Sequence, residues 1–456
     1  MKKFIKKNYK WFILFLCAFV FAITQFKPVM YLPVLVQLIR IIKNCNSNEY
    51  FDLLLLTIIV PDNYLIIPII IAVFILLKLP FLDNKKNAAI GIIAIFYTIL
   101  VSFLNKIPFI NYIVYIVYFI PFCLSLLVLK QLVKRKDFLI NKLYNSITFI
   151  LISQWIAIVF YTISHLSIVK AYNDMDWVTG TFGAFQCNTL MLFACFCFLI
   201  FVNDYVVNKK LHLLPIILSL LTIISTSSVA YLLIFFLSFL VILFLSAKIK
   251  PIQKIIFILL LLLSILIMVS ILPEWIVREF ALLLDFEYAK KRISKIIFYY
   301  TTFVKIPKEE GIITFLFGGG LGQYVSRAAL TCAGGYIGFY DSRFTPYVSD
   351  LYKTYILDFY NGLPGLADSP QSSILALQGE VGLIGLGLIM WLLIKNFKKT
   401  KNITIRVCIL FFVGIMFVEN ILEFAKVCFM FWAVIAVCGF KERRNFDDKT
   451  NANWAN

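Results

Sequence analysis

The groups best suited to chemistry lie in or beside one long polar stretch, residues 274–370. Arg278, Lys290, Lys291 and Arg292 fall in a segment with helical periodicity, and Arg327 and Arg343 follow in a segment without it. Cations gathered this way hold anions, and for the first four the simple alternative is contact with lipid headgroups. Asp368 stands just ahead of Pro370, a position that suits a helix cap. Further on, Glu419, Glu423 and Lys426 sit at the ends of two apolar runs, where charges face a cavity or pair with one another. Glu423 and Lys426 are i,i+3 neighbours, so an ion pair on one helix face is the first expectation for them. His165, Lys106 and Lys170 are isolated, and the lone histidine is read as structural. Gly318, Gly319, Gly320 and Gly322 look superficially like a phosphate cradle. The lysine and the serine or threonine of a P-loop are missing, so a tight turn is the better reading. The cysteines lack metal-ligand spacing and no carboxylate pair has it, so neither metal nor cofactor is expected.

These residues must be positioned by membrane helices. The chain is 62% hydrophobic, against roughly 45–50% for soluble domains. Twelve apolar runs approach the ~20 residues that cross a bilayer. They lie near 10–27, 64–82, 88–104, 110–130, 144–166, 184–205, 212–228, 229–246, 255–273, 372–394, 404–420 and 424–440. The runs are continuous, unlike the alternating strands of an outer-membrane barrel. The expected fold is an all-α polytopic membrane protein of about twelve spans. Its parts are residues 1–273 (nine spans), the 97-residue loop 274–370, and residues 371–456 (three spans and a tail). The basic N-terminus with its apolar run has no small-x-small cleavage site and reads as an uncleaved span. Residues 28–63 form the second-longest connection, and YLPVLVQLIRIIKN within it reads either as an interfacial helix lying flat on the headgroups or as a poorly formed extra span. Within the long loop, residues 273–305 are helical in pattern, 311–324 form a glycine-rich turn, and 325–370 are irregular.

The net charge of +19 does not indicate nucleic acid, because the cations are distributed by connection. Residues 1–10 hold five Lys or Arg, 83–87 two, 130–142 five, 206–211 two, 247–254 three, 395–406 five and 441–449 four, 26 of the 43 in all. The connections between these carry only isolated cations. This is the positive-inside pattern, which puts both termini in the cytoplasm and the long loop outside. The loop itself balances ten basic against ten acidic residues, as suits a surface for local pairing and polar ligands. An external setting also permits a disulfide between Cys45 and Cys332, although nothing in the sequence demands one.

The segment DSPQSSILALQGEVGLIGLG has Gln371-Ser372, then nine residues to Gly382 and two more to Gly385. In this it resembles the O-antigen polymerase and ligase superfamily, where a His-Asn or His-Ser pair precedes a run of the form L..L.E.GLIGL by about that spacing. FLFGGGLGQY, residues 315–324, is similar to that family's FGxGLGxY turn. GTFGAFQCN, residues 180–188, is similar to its GxFxxPN entry to a mid-chain span. The chain also departs from the family. Gln371 stands at the histidine position, Trp177 and Val229 stand where arginines are common, and an amide cannot serve as a base. Loss of that histidine favours polymerase over ligase. Arg327, with Gly338 eleven residues on, fits an R-x10-G loop pattern.

The resemblance implies an undecaprenyl-diphosphate-linked oligosaccharide that donates its glycan, at the anomeric carbon, to a hydroxyl of a second lipid-linked repeat unit. Undecaprenyl diphosphate leaves, as in lipopolysaccharide and related polysaccharide biosynthesis. The site would face the periplasm from the bacterial inner membrane. Its working partners would be the lipid-linked donor and acceptor, the bilayer, a chain-length regulator and a flippase. Such a site needs cations for the diphosphate, and arginine serves best because its planar fork binds phosphate oxygens in pairs. Arg327 and Arg343 are the leading candidates, with Arg278, Lys290, Lys291, Arg292, Lys170, Gln371 and Ser372 as substrate contacts. Asp368, three residues before Gln371, either replaces the missing base or is only the cap named above. Two alternatives stand beside the polymerase: a ligase of the same superfamily, and a flippase for lipid-linked sugar. Transporters commonly carry inverted repeats, and no repeat is visible in this chain.

Overall fold

The computed structural model describes residues 2–43, 45–77, 85–165, 178–183, 186–226, 228–245, 252, 255, 259, 294–334, 346–357 and 372–454. Among them every regular element is helical and no strand occurs. In chain order the helices are α1 (Lys2–Thr24), α2 (Tyr31–Lys43), α3 (Ser47–Ile58), α4 (Ile66–Leu76), α5 (Lys85–Leu104), α6 (Phe109–Lys134), α7 (Ile140–Ser164), α8 (Cys187–Asn208), α9 (Leu213–Ser225) and α10 (Val229–Leu245). After residue 293 come α11 (Ser294–Tyr300), which runs on without a break to Glu309, then α12 (Ile312–Phe317), α13 (Arg327–Cys332), α14 (Ser373–Lys399), α15 (Ile403–Val418) and α16 (Ala425–Trp454). Four of these, α6, α7, α8 and α14, are long and apolar enough to cross a membrane. Shorter apolar stretches lie in α1, α4, α5, α9, α10, α15 and α16. Apart from Ile255 and Leu259, the ninth expected span lies outside the described residues, as does the first part of the loop helix, 273–293.

Helix α8 is apolar on all sides and mostly buried, as a helix without a polar face must be. It packs against α9 and α16. The last three helices are held by a stack of aromatic rings: Phe122 of α6 lies 5.3 Å from Trp432 of α16, and Phe412 of α15 lies 3.9 Å from Phe431. That packing fixes the short link between α15 and α16, where the charged residues of the next subsection sit.

Residues 28–63 correct the expectation of an external connection. Lys10 of α1 donates to Gln37 of α2 at 3.5 Å and to Glu49 of α3 at 3.4 Å, and also contacts Asp52. Arg40 donates to Glu49 at 3.0 Å. Helix α2 therefore runs back along α1 instead of lying flat on a headgroup surface. Helix α3 then returns with every residue from Ser47 to Ile58 buried. The start of α3 meets the basic connection between α6 and α7: the Ser47 N–H and hydroxyl donate to Asp137 at 2.7 and 2.8 Å. Asn48 exchanges hydrogen bonds with the backbone of Leu139 at 3.0 and 2.8 Å. The physical cause is the polar set itself, because Lys10, Gln37, Glu49 and Asp52 satisfy one another only when enclosed. The hairpin adds two half-length passes, so the sense of the chain after it is the one the charge pattern implies.

Asp137 thus accepts one of the N–H groups that a helix start leaves unpaired. Burial works against its charge, but the Ser47 N–H and hydroxyl outweigh it and hold the carboxyl below its ordinary range. Asp137→Ala is expected to destabilise the protein by about 1 kcal/mol, the typical value of a helix cap. A lowered thermal midpoint of the purified protein in detergent checks this; an unchanged midpoint shows that the cap is dispensable.

The stretch expected to be irregular after residue 325 also has more order than its pattern suggested. The Ser326 hydroxyl accepts the Ala329 N–H and starts α13, and the Ser349 hydroxyl accepts the Tyr352 N–H and starts a helical stretch through Leu357. Two serine caps supply what hydrophobic periodicity did not. Cys45 and Cys332 are both free thiols. Burial first, and the nearby Glu380 second, push the Cys332 thiol up, which keeps it protonated.

Candidate functional site

The site is built around a break in α14. This helix starts at Ser372, whose hydroxyl accepts the Leu375 N–H, and it loses helical geometry at Gly382. There φ is 68° and ψ is −175°, a region open essentially only to glycine. The glycine turn that follows α12 docks into the break. The Gly319 N–H donates to the Gly379 carbonyl at 2.7 Å and the Gly320 N–H to the Glu380 carbonyl at 3.0 Å. Gln378 donates to the Phe315 carbonyl at 2.8 Å, and the Tyr97 hydroxyl to the Val381 carbonyl at 2.5 Å.

The Glu380 carboxylate is fully enclosed and aims into the turn. It accepts the Gly322 N–H at 2.9 Å and the Tyr324 N–H at 3.1 Å, with the Ser326 hydroxyl as a third donor. The amides of the turn are therefore consumed within the protein, which supports turn formation over a phosphate cradle. Asn111 of α6 braces the far side, donating to the carbonyls of Gly322 at 3.0 Å and Tyr347 at 2.8 Å. Asn111 and Glu380 escaped the sequence reading. The signal was present for Glu380, a lone carboxylate inside an apolar run, which is expensive in a membrane and usually has a purpose.

The turn delivers the chain to Arg327, the first residue of α13. Its backbone N–H donates to Glu423 at 2.5 Å, and the same carboxylate takes the Asn420 side chain at 3.0 Å and the Ala328 N–H. With the backbone held in this way, the Arg327 guanidinium lies over the Phe424 ring, 4.8 Å from its centre, and 3.9 Å from Glu419. Its side chain is 15% exposed and that of Glu419 is 28% exposed. The expected Glu423–Lys426 pair does not form, because each residue has other partners. Lys426 donates to the Val60 carbonyl at 2.6 Å and sits over the Phe182 ring. Phe182 belongs to the GTFGAFQCN segment. Its neighbour Thr181 donates to the Ile59 carbonyl at 2.8 Å, and the Thr181 N–H donates to Gln154 at 2.9 Å.

A row of hydroxyls lies along the other side of α13. Tyr118 bonds Thr331 at 3.0 Å and Tyr64 at 3.2 Å, and the Tyr64 N–H donates to Asp62 at 2.8 Å. Comparison with protein-family models, with curated proteins and with solved structures found no match.

Of the residues singled out in the sequence, Arg327 stands at the centre of this cluster. Ser372 is nearby but enclosed. Its hydroxyl caps α14 and meets the Tyr299 hydroxyl at 3.0 Å, so it is committed to holding the helix start. Ser373 does the same for the α15–α16 link, where its hydroxyl accepts the N–H groups of Ile421 and Leu422 at 2.9 and 3.2 Å. His165 stacks on Tyr161 at the end of α7, with ring centres 4.4 Å apart, a structural position. Asp368, Arg343, Arg278, Lys290, Lys291, Arg292, Lys170 and Gln371 lie outside the described residues. Among the described residues no group of three His, Cys, Asp or Glu is placed to hold a metal ion.

Proposed function

We propose that this protein is a polysaccharide polymerase, a metal-independent glycosyltransferase that joins undecaprenyl-diphosphate-linked repeat units at the periplasmic face of a bacterial inner membrane. One observation carries the reading. The three segments that resemble the O-antigen polymerase and ligase superfamily are far apart in sequence, yet they pack around one cluster. The glycine turn bonds the α14 break, its exit positions Arg327, and Phe182 of the third segment lies under Lys426, three residues beyond Glu423. An arginine held by its backbone and left partly open, at the end of the bundle away from the basic connections, is what a departing lipid diphosphate requires.

In the proposed reaction the acceptor hydroxyl oxygen forms a bond to the anomeric carbon of the donor. The bond from that carbon to the diphosphate oxygen breaks, and its electron pair leaves with undecaprenyl diphosphate. Arg327 holds the diphosphate, joined by Arg343 and by the loop cations Arg278, Lys290, Lys291, Arg292 and Lys170. The topology proposed with it has both termini in the cytoplasm and the stretch 274–370 outside.

Purified protein in liposomes, given one lipid-linked repeat unit, should produce a ladder of longer glycans together with free lipid diphosphate. Transport of the lipid-linked sugar across the vesicle without chain growth would instead identify a flippase. Transfer only to a different acceptor would identify a ligase.

A further inference from the structure

We infer that Glu419 is the base that accepts the proton of the acceptor hydroxyl, acting beside Arg327. The inference rests on the polymerase reading above and names a residue that neither the sequence motifs nor that reading assigns.

Three carboxylates surround the start of α13, and only one has open oxygens. Both oxygens of Glu380 accept backbone N–H groups, from Gly322 and Tyr324. Glu423 accepts from Arg327, Ala328 and Asn420. Each of these is a structural acceptor, and neither is exposed beyond 4%. The Glu419 carboxylate accepts no hydrogen bond among the described residues, and it is the most open of the three, at 28%. Its 3.9 Å separation from the Arg327 guanidinium makes an ion pair without a hydrogen bond, so lone pairs remain for a substrate hydroxyl.

The backbone of Glu419 is nonetheless tightly held, as a catalytic group requires. Its N–H donates to Ile415 at 2.9 Å, and its carbonyl accepts the Ser373 N–H and the Ile421 N–H, both at 3.1 Å. Phe417 lies half-exposed two residues before it, with Tyr299 stacked alongside and donating to the Phe417 carbonyl at 2.6 Å. These rings offer a flank on which a sugar can stack within reach of the carboxylate. Arg327 and Glu419 together bring a cation for the leaving diphosphate and a base for the incoming hydroxyl to one place. The proton moves from the acceptor oxygen to Glu419 as the bond to the anomeric carbon forms, and the diphosphate departs unprotonated beside Arg327.

The test uses the full-length protein in liposomes with one lipid-linked repeat unit. Failure of the wild type to extend chains would count against the polymerase reading and not against Glu419. With an active wild type, Glu419→Gln and Glu419→Ala should each slow chain growth by about 100-fold or more, whereas Asp368→Asn should stay within about threefold of wild type. Azide needs no deprotonation to attack. In Glu419→Ala it should restore release of lipid diphosphate, with glycosyl azide as the product, while adding nothing to the wild type. A residue that merely braced Arg327 would not respond to azide. Chain growth at the wild-type rate in Glu419→Gln would overturn the inference, as would loss without azide rescue in a folded Glu419→Ala protein. Rescue of Asp368→Ala by azide would move the base to Asp368. The isosteric Glu419→Gln variant keeps the test decisive if the alanine variant folds poorly.

Discussion

Replacing Arg327 with alanine should reduce chain growth by about 100- to 1,000-fold, the scale on which removing one preorganised charge-stabilising donor slows a reaction. The loss should fall on use of the donor, since the guanidinium is assigned to the diphosphate. The fold should persist, because α13 is anchored by the Arg327 N–H on Glu423 and by the Ser326 cap, both of which survive the substitution. What the fold loses is the guanidinium contact with Phe424, worth about 0.5–1 kcal/mol at an exposed site. Arg327→Lys should recover only part of the rate, because an ammonium cannot grip two phosphate oxygens in a plane. Ladder length and released lipid diphosphate, measured at several donor concentrations, check this. Activity within twofold of wild type in Arg327→Ala would remove this arginine from the site.

The largest expected effect on folding belongs to Gly382→Ala. A Cβ at this position would stand 2.3 Å from the Leu316 carbonyl oxygen and 2.4 Å from its carbon. The positive φ adds strain of about 1–3 kcal/mol, and the overlap adds about 1–3 kcal/mol more. The neighbouring backbone has little room to retreat, because Gly319 and Gly320 donate to the Gly379 and Glu380 carbonyls. The variant should lose the docked turn and, with it, much of its thermal stability in detergent. Gly387→Ala is the internal control, since a Cβ there meets nothing within 4 Å. A thermal midpoint for Gly382→Ala equal to that of Gly387→Ala would show that the break in α14 is not required.

Hydropathy and charge made the helical class legible, because a period of apolar residues and the placement of Lys and Arg are local properties. The α2–α3 hairpin was not legible. Its helices are 13 and 12 residues long, too short to register as spans. Gln37, Glu49 and Asp52 also read as marks of an aqueous connection, while their partner Lys10 is 27, 39 and 42 residues away. Glu380 was hidden for a related reason: its partners are backbone amides 56 and 58 residues distant, which have no side-chain signature. Arg327 was legible because an arginine outside any lipid-anchoring periodicity stands out. Glu419 was noticed only as a charge near a helix end. What distinguishes it from Glu423 is the absence of donors around its oxygens, a property of the assembled fold.

The enclosure of α3 also bears on how the chain is assembled at a translocon. A 12-residue helix carrying Glu49 and Asp52 has no stable place in lipid by itself. Lys10 is already synthesised when α3 emerges, but Asp137 and Leu139, which close its first turn, come 90 and 91 residues after Ser47 and Asn48. Lys426, which donates to Val60 just past its far end, comes 366 residues later. Helix α3 must therefore wait, shielded by the insertion machinery or by a chaperone, until the later helices close over it. The final segment of the chain completes both that burial and the charged cluster at the link it carries, so a ribosome that stops early leaves a protein that is neither sealed nor equipped to react.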